Sequence, residues 1–239
     1  MSDYIRGLTF IFVLAFFLAP AAHASSQDNK QNITNYSLLC DAGDTQACVK
    51  LATLYLGREG RGSVEIDETK AAEFYDRACA GDNAEGCTGL GKMYSEGRGV
   101  QANDQKAVSF FKKSCDQGYP KGCSSLGYMH FKGRGVEEDA LLAFVFVGQG
   151  CKGGDAYGCT NLGMLYDKGL GVVENQARAV AHYKKGCDGG DISGCTRLGL
   201  MYQNGRGVAQ DKVKAAILFT KSCDGGQADA CMKLDTLKN

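Results

Sequence analysis

The chain has 239 residues, with 27 basic and 27 acidic side chains, so its formal net charge at pH 7 is zero. A neutral surface argues against general nucleic-acid binding, which needs a basic footprint, and it gives no indication of an anionic membrane target. The chain contains 33 glycines but only two prolines. Because these glycines recur at fixed intervals, they mark repeated tight turns and not disorder.

Residues 1–24 have the pattern of a secretory signal peptide, which is removed from the mature protein. An apolar run extends from Leu8 to Leu18, and Ala22-His23-Ala24 forms a cleavage signal. The run is too short to span a bilayer comfortably, and no second apolar stretch of about 18 residues follows. An uncleaved anchor is the alternative.

Export therefore places the mature chain in the periplasm or outside the cell, with no membrane span after cleavage. We expect a flexible segment at 25–35, before the first repeated motif. The folded part is expected over residues 36–235.

Cysteines give the repeat its period. Six pairs occur, each with seven residues between its members, and from the second pair onward their first cysteines are 36 residues apart. A fixed period of this length is typical of a repeat array. A catalytic cysteine would normally occur once, so these belong to the architecture. The pairs are Cys40 with Cys48, Cys79 with Cys87, Cys115 with Cys123, Cys151 with Cys159, Cys187 with Cys195, and Cys223 with Cys231.

Each unit predicts two helices, A and B, joined by a glycine-rich turn. In helix A, residues such as Cys87, Leu90, Gly91 and Tyr94 recur at spacings of three and four, which places them on one face. Because glycine inside a helix costs about 1 kcal/mol relative to alanine, its repetition indicates a close helix crossing. The first glycine of the G-x-G-V turn that follows stands where a helix C-cap prefers a left-handed residue.

Repetition of this unit predicts an all-α solenoid with about five full repeats and incomplete units at both ends. In helix B, an apolar stripe ends at the first cysteine of the next pair. The A helices are expected to begin near Thr45, Ala84, Pro120, Ala156 and Ser193.

We expect all twelve cysteines to form disulfides, because export is oxidising and their number is even. Residues eight apart in one straight helix are separated by about 12 Å, whereas a disulfide needs Cα atoms within about 7 Å. Each pair must therefore bond across a turn. A rival scheme joins Cys48 to Cys79 within one unit, but it leaves Cys40 and Cys231 without partners.

Other cysteine chemistry fits less well. Structural zinc sites use closer spacings such as C-x2-C, so we expect no metal and no cofactor. Six equal copies also disfavour a thiol redox protein, whose reactive pairs are typically C-x-x-C.

The motif L-G-x-x-Y-x-x-G-x-G-V, as in Leu90 to Val100, resembles the consensus of the Sel-like repeat family, relatives of the tetratricopeptide repeats. With C-x7-C in every unit, the chain is similar to the secreted Helicobacter cysteine-rich protein family. The resemblance covers nearly all of residues 36–235. Departures are Ala52 for the helix A glycine, His130 for the tyrosine and Leu170 for the turn arginine.

This resemblance implies two functions. One is an adaptor that holds a protein, a peptide or a peptidoglycan-like ligand in a concave groove. The alternative is a weak penicillin-binding β-lactam hydrolase. The family offers no catalytic motif to transfer, so enzymatic activity stays open, as does the oligomeric state.

Candidate catalytic residues have ordinary structural interpretations. Ser109 and Lys112 match the S-x-x-K element of serine β-lactamases, but S-D-N and K-T-G are absent. His130 and His182 stand at positions filled elsewhere by Tyr, Phe or Leu, which favours packing. The sequence also contains no H-E-x-x-H zinc motif.

The groove is the more informative place. If the units stack as tetratricopeptide repeats do, helix A lines the concave face, and exposed residues outside the packing stripe there are ligand candidates. Aromatic, amide and arginine groups suit a peptide or a glycan better than a nucleic-acid base. The predicted groove residues are Tyr128, Phe131, Tyr157, Asn161, Met164 and Arg197.

Arginines recur in the turns between helices A and B, at Arg98, Arg134 and Arg206. They either bond to carbonyls at helix ends or form a row of anion contacts.

Overall fold

A computed structural model describes the backbone of residues 20–57 and 65–238. This part of the chain is wholly helical apart from its turns, and contains no strand. The helices are α1 (Pro20–Asp41), α2 (Thr45–Tyr55), α3 (Glu68–Ala80), α4 (Ala84–Glu96), α5 (Asp104–Asp116), α6 (Pro120–Lys132), α7 (Ala140–Lys152), α8 (Ala156–Lys168), α9 (Gln176–Asp188), α10 (Ile192–Asn204), α11 (Lys212–Asp224) and α12 (Ala228–Lys238).

The structure describes the N-terminal part of the chain only in part. Most of the predicted signal peptide, residues 1–24, lies outside the described residues. Residues 25–35 belong to α1, so the segment expected to be flexible is helical here. Within the described ranges, no helix is long and apolar enough to cross a bilayer.

The predicted solenoid is confirmed, with α2, α4, α6, α8 and α10 as the A helices and α3, α5, α7, α9 and α11 as the B helices. Four A helices begin at the predicted residues, and α10 begins at Ile192, one residue earlier than expected. Successive A helices pack directly on one another, whereas no two B helices in the described chain pack to a comparable extent. The A helices therefore line the inner, concave side and the B helices the outer side.

Helix ends follow the sequence signals. Side-chain oxygens cap most helix starts; the Asp139 carboxylate, for example, accepts the main-chain N–H of Leu141 and of Leu142. The first turn glycine adopts the left-handed conformation predicted for it, as at Gly97 with φ 69° and Gly133 with φ 60°. Each A helix thus stops where the chain must reverse.

The second turn glycine docks on the preceding unit. Gly135 has φ 70°, and a Cβ there would overlap the main chain of Asp104 at the start of α5. Gly171 meets Ala140 in α7 in the same way. This position therefore needs glycine both for its conformation and for a close approach between units.

The glycine inside each A helix marks the crossing expected from the sequence. A Cβ on Gly127 would lie 2.8 Å from a methyl group of Val147, and one on Gly163 would lie 2.7 Å from the ring of Tyr183. In the first unit Ala52 occupies this position and is fully buried. The crossing between helices A and B of one unit thus requires a small residue.

All six predicted C-x7-C disulfides form, with Cα separations of 4.4–4.9 Å. Each joins the end of a B helix, or of α1 before the first unit, to the start of the next A helix, or of α12 after the last unit. The bonds link Cys40 to Cys48, Cys79 to Cys87, Cys115 to Cys123, Cys151 to Cys159, Cys187 to Cys195, and Cys223 to Cys231.

The rival pairing of Cys48 with Cys79 is wrong, because each of these cysteines bonds across its own turn. No described cysteine is free. The second cysteine of a pair lies in the first turn of its A helix and is buried there, as Cys123 in α6 and Cys195 in α10 show. Five bridges therefore belong to the core of the array, as an architectural role requires, whereas the last one, Cys223–Cys231, is half-buried.

A basic side chain supports several of these junctions from the next unit. The Arg77 guanidinium donates to the Cys40 carbonyl at 3.0 Å, and the Lys113 ammonium donates to the Cys79 carbonyl at 2.8 Å. Cations near helix C-termini are stabilised by the exposed carbonyls there. This hydrogen bond supplements the disulfide in fixing the position of one unit on the next.

Two glycines offer a matched test of the crossing. Gly127→Ala should lower the free energy of unfolding by about 1–3 kcal/mol, because its Cβ has no room against Val147. Gly148→Ala in α7 should raise it by up to about 1 kcal/mol, because a Cβ there meets no atom within 4 Å and alanine favours helix. Urea denaturation measures both changes, and shifts of the same sign would contradict the packing account.

The bridges offer a second test. Replacing Cys151 and Cys159 with serine should lower the melting temperature more than replacing Cys223 and Cys231. The first pair lies between two packed units, whereas α12 packs on α11 alone to a substantial extent. Each bridge should contribute about 2–3 kcal/mol. Equal losses of melting temperature would argue against a one-dimensional array.

Candidate functional site

Two tyrosines form the centre of the concave face. Tyr128 of α6 and Tyr157 of α8 have ring centroids 6.2 Å apart and an interplanar angle of 56°. Tyr157 is 42% exposed, and Tyr128 is half-buried. Neighbouring A helices therefore present one continuous aromatic surface.

Polar groups without partners lie beside this surface. Asn161 follows Tyr157 by one helical turn, and its Nδ2 is buried without a hydrogen bond of good geometry within the described chain. The buried Oδ2 of Asp191, at the start of α10, also has no partner there. Buried polar groups are normally paired, so these two atoms mark a place in the groove where pairing is incomplete.

The electrostatics of Tyr157 reflect the same surroundings. Partial burial raises the pKa of its phenol, the nearby Asn161 side chain opposes this shift, and the negative charges of Asp191 and Asp155 add to it. Tyr157 is therefore a neutral hydroxyl at physiological pH. It can donate to a carbonyl and accept from an N–H.

Arg197 lies one unit further along the concave face, at the position equivalent to Asn161. It approaches the buried Tyr183, whose pKa is raised to about 12 by burial and by Asp167, with Arg197 acting in the opposite direction. Asp167 itself pairs with Arg206 at 2.6 Å. Arg197 thus supplies a half-buried positive charge one unit beyond Tyr157.

The two remaining predicted groove residues lie deeper than expected. Met164 is only 9% exposed and packs in a core cluster with Leu162 and Tyr166, so the expectation of an exposed Met164 is wrong. Phe131 is half-buried against the same cluster, with the Lys132 ammonium 4.7 Å from its ring centroid. These residues form the floor beneath the groove.

Sequence reasoning missed Tyr119, the residue before α6. Other A helices have Asp or Asn at this capping position, whereas Tyr119 makes no side-chain cap. Burial, followed by the charges of Glu85 and Asp155, raises its pKa to about 12. Its departure from the repeat was the signal that could have identified it.

The turn arginines match neither interpretation fully. Arg98 pairs with Glu68 and Arg134 pairs with Asp104, each at 2.7 Å and each with a carboxylate of the preceding unit. Arg134 also donates to one carbonyl, that of Ser95. These arginines therefore hold neighbouring units together.

The candidate catalytic residues have structural partners. The Ser109 hydroxyl donates to the Lys106 carbonyl in its own helix, and the Lys112 ammonium pairs with Asp116 at 2.7 Å. Lys112 is thus engaged away from Ser109, so no activated nucleophile forms here.

The histidines stack on aromatic rings, as a packing role requires. The ring centroids of His130 and Phe146 are 5.6 Å apart, and those of His182 and Tyr166 are 5.4 Å apart. Burial lowers the pKa of His182. Among the described residues, no group of three or more His, Cys, Asp or Glu side chains could hold a metal ion.

Comparison with known proteins gives a consistent family match. The model of the Sel1 repeat matches five consecutive segments, at residues 45–83, 84–119, 120–155, 156–191 and 192–227. These segments coincide with the structural units, each running from an A helix to the start of the next.

Two solved structures are similar to this chain. The chain resembles c5321, a protective antigen of uropathogenic Escherichia coli strains with an SLR fold, at 29% identity and a TM-score of 0.69, over 89% of this chain and 48% of that one. It also resembles Helicobacter pylori cysteine rich protein B, at 28% identity and a TM-score of 0.46, over 56% of this chain and 96% of that one.

A curated relative matches over a shorter stretch. Cytochrome c oxidase assembly factor 7A of Xenopus laevis is 33% identical over 68 residues, which is 28% of this chain and 29% of that protein. The chain therefore spans less than a third of this relative and about half of the E. coli protein.

The raised pKa of Tyr119 makes a testable prediction about pH. The unfolded phenol titrates near 10, whereas the folded one titrates near 12. The stabilising contribution is complete below pH 10 and is lost as the pH rises toward 12, because only the unfolded chain releases the proton in this window. Urea midpoints should therefore fall less steeply above pH 10 in Tyr119→Phe than in the unmodified protein. Identical slopes would contradict the assigned burial.

Proposed function

The chain belongs to the Sel1 repeat family, and on that premise we propose that it is an exported scaffold whose concave face binds an extended polypeptide. Its disulfide-bonded Sel1 scaffold is consistent with a protein-binding repeat protein. The tyrosine pair formed by Tyr128 and Tyr157 makes the central contacts with this polypeptide.

One observation carries this proposal: the exposed Tyr157 ring is near two buried polar atoms that lack a hydrogen bond of good geometry. They are Nδ2 of Asn161 and Oδ2 of Asp191. An extended peptide presents alternating carbonyl and N–H groups, so its main chain would supply the complement of both once the two side chains turn toward the groove. Pairing them removes the penalty of buried groups without hydrogen bonds.

At the start of the array, the polar side chains on helix A are paired with one another. There Gln46 donates to Glu85 at 3.3 Å, and Asn83 donates to Gln46 at 3.2 Å. Polar side chains at that end satisfy one another, which favours the middle of the array as the contact region. Aromatic residues dominate binding energies at the centre of an interface, as Tyr128 and Tyr157 would here.

A polypeptide fits this surface better than a peptidoglycan-like ligand. The groove pairs amide-type donors and acceptors with one arginine, Arg197, and with a neutral phenol at Tyr157. The half-buried Phe131 and buried Met164 give an apolar floor that suits an amino-acid side chain. If the protein bound glycan fragments but no peptide, this result would contradict the proposal.

Export is supported by the cysteines. Disulfides form and persist mainly in oxidising compartments, so six bridges, five of them buried, support a location in the periplasm or outside the cell. The alternative, a β-lactam hydrolase, rests on the resemblance alone. The partners of Ser109 and Lys112 give it no support.

The test uses a linear peptide selected from a random library on the purified, oxidised protein. Tyr128→Ala combined with Tyr157→Ala should weaken its binding by about 2 kcal/mol or more, because both rings would be covered by the ligand. Isothermal titration measures the change, and circular dichroism should remain unaltered. Asn161→Leu should also weaken binding, since it removes the unpaired amide.

Ser109→Ala serves as the control, because this exposed residue lies on the outer side. It should change neither peptide binding nor the turnover of a chromogenic β-lactam. If the selected peptides bound the variant with Tyr128→Ala and Tyr157→Ala as tightly as the unmodified protein, the concave face would not be the binding site. Loss of β-lactam turnover in Ser109→Ala would instead establish the hydrolase.

A further inference from the structure

The outer face of the array changes from polar to apolar along the chain. In α3 and α5, the two outermost positions hold polar residues: Thr69, Glu73, Gln105 and Ser109. In α7 and α11 the equivalent positions hold exposed aliphatic residues: Leu141 (61% exposed), Val145 (42%), Val213 (71%) and Ile217 (64%). Between them, α9 carries the small exposed residues Ala177 and Ala181.

Folding does not require these apolar residues, because the first two units fold with polar ones. The change extends to the neighbouring turn. The ion pair between Arg134 and Asp104 has no counterpart one unit later, where Leu170 and Ala140 occupy the equivalent positions. Val173, which follows that turn, is 85% exposed. Concentrated exposed apolar surface of this kind marks an interaction site.

We propose that a second copy of the chain covers this outer face, with a two-fold axis running along α9. In this arrangement the α7 helix of one copy faces α11 of the other, in parallel register, and the contact occurs twice. The apolar pair Leu141 and Val145 then meets Val213 and Ile217 of the second copy. A two-fold contact of this type closes on itself and yields a dimer.

Charge complementarity selects this register. Glu137 and Glu138 precede α7, whereas Lys212 and Lys214 begin α11, so opposite charges meet at one end; Lys214 also pairs with its own Asp211 at 3.2 Å. At the other end, the exposed Lys152 of α7 meets the exposed Asp224 of α11. The alternative two-fold axis, perpendicular to the helices, would place α7 against α7 and lose this α7–α11 complementarity. Complementary potentials of this kind fix register at an interface.

Side-chain size also fits two convex surfaces in contact. Such surfaces approach most closely at the axis and separate on either side. Ala177 and Ala181 lie at the axis and allow close approach, while the longer Leu141 and Ile217 lie on the flanks. The interface uses the outer side, so it leaves the concave groove open.

Sedimentation equilibrium of the oxidised protein should show a monomer–dimer equilibrium with a dissociation constant of about 1–100 µM, as suits an interface of modest size. Ile217→Glu should raise that constant at least tenfold, because it buries an unpaired charge against Val145. Ser109→Glu is the matched control, since Ser109 is the exposed residue at the equivalent position of α5. It should leave the constant unchanged.

Charge reversal tests the register. Glu137→Lys with Glu138→Lys should weaken self-association, and so should Lys212→Glu with Lys214→Glu. An equimolar mixture of the two variants should dimerise with the original affinity, because both of its α7–α11 contacts are again complementary. Circular dichroism and melting temperature confirm that each variant is folded.

Three results would overturn the proposal. One is a monomer at all accessible concentrations, including the case in which the protein instead binds vesicles of anionic phospholipid. Another is a dimer that Ile217→Glu leaves intact. The third is a mixture of charge variants that stays monomeric. None of these results bears on peptide binding at Tyr157, which the concave-face variants test separately.

Discussion

The disulfide between each B helix and the following A helix is the contact on which the rest of the structure depends. It brings the two Cα atoms within 4.9 Å across a turn and thereby fixes where the next unit starts. The second turn glycine, as at Gly135, then lets the chain lie against the main chain of the preceding B helix. Because every unit repeats both contacts, a single geometry propagates along the array.

That geometry determines which side chains are available for binding. Successive A helices pack on one another, so their outward positions form one inner surface across units. The packing stripe accounts for the leucine and glycine positions of these helices. The residues between them vary from unit to unit, and there Tyr128, Tyr157 and Asn161 depart from the repeat. Function in such a scaffold therefore lies in the residues that differ between units.

The period of the sequence predicted the helices, their caps and the disulfides, because these depend on contacts within one unit or between neighbours. Side-chain depth on the concave face was less predictable. Met164 is buried although its equivalents include Lys92 and Tyr128, because burial there depends on how closely neighbouring A helices approach. The partners of Arg134 and the position of Tyr119 were missed for the same reason, since both involve groups of another unit.

The most direct test of the proposed binding face is hydrogen–deuterium exchange of the oxidised protein with and without a library-selected peptide. The account predicts that slowed exchange concentrates in α6, α8 and the start of α10, around Tyr157 and Asp191, while the B helices are unchanged. Protection confined to the B helices or to the turns, with the A helices unaffected, would contradict it.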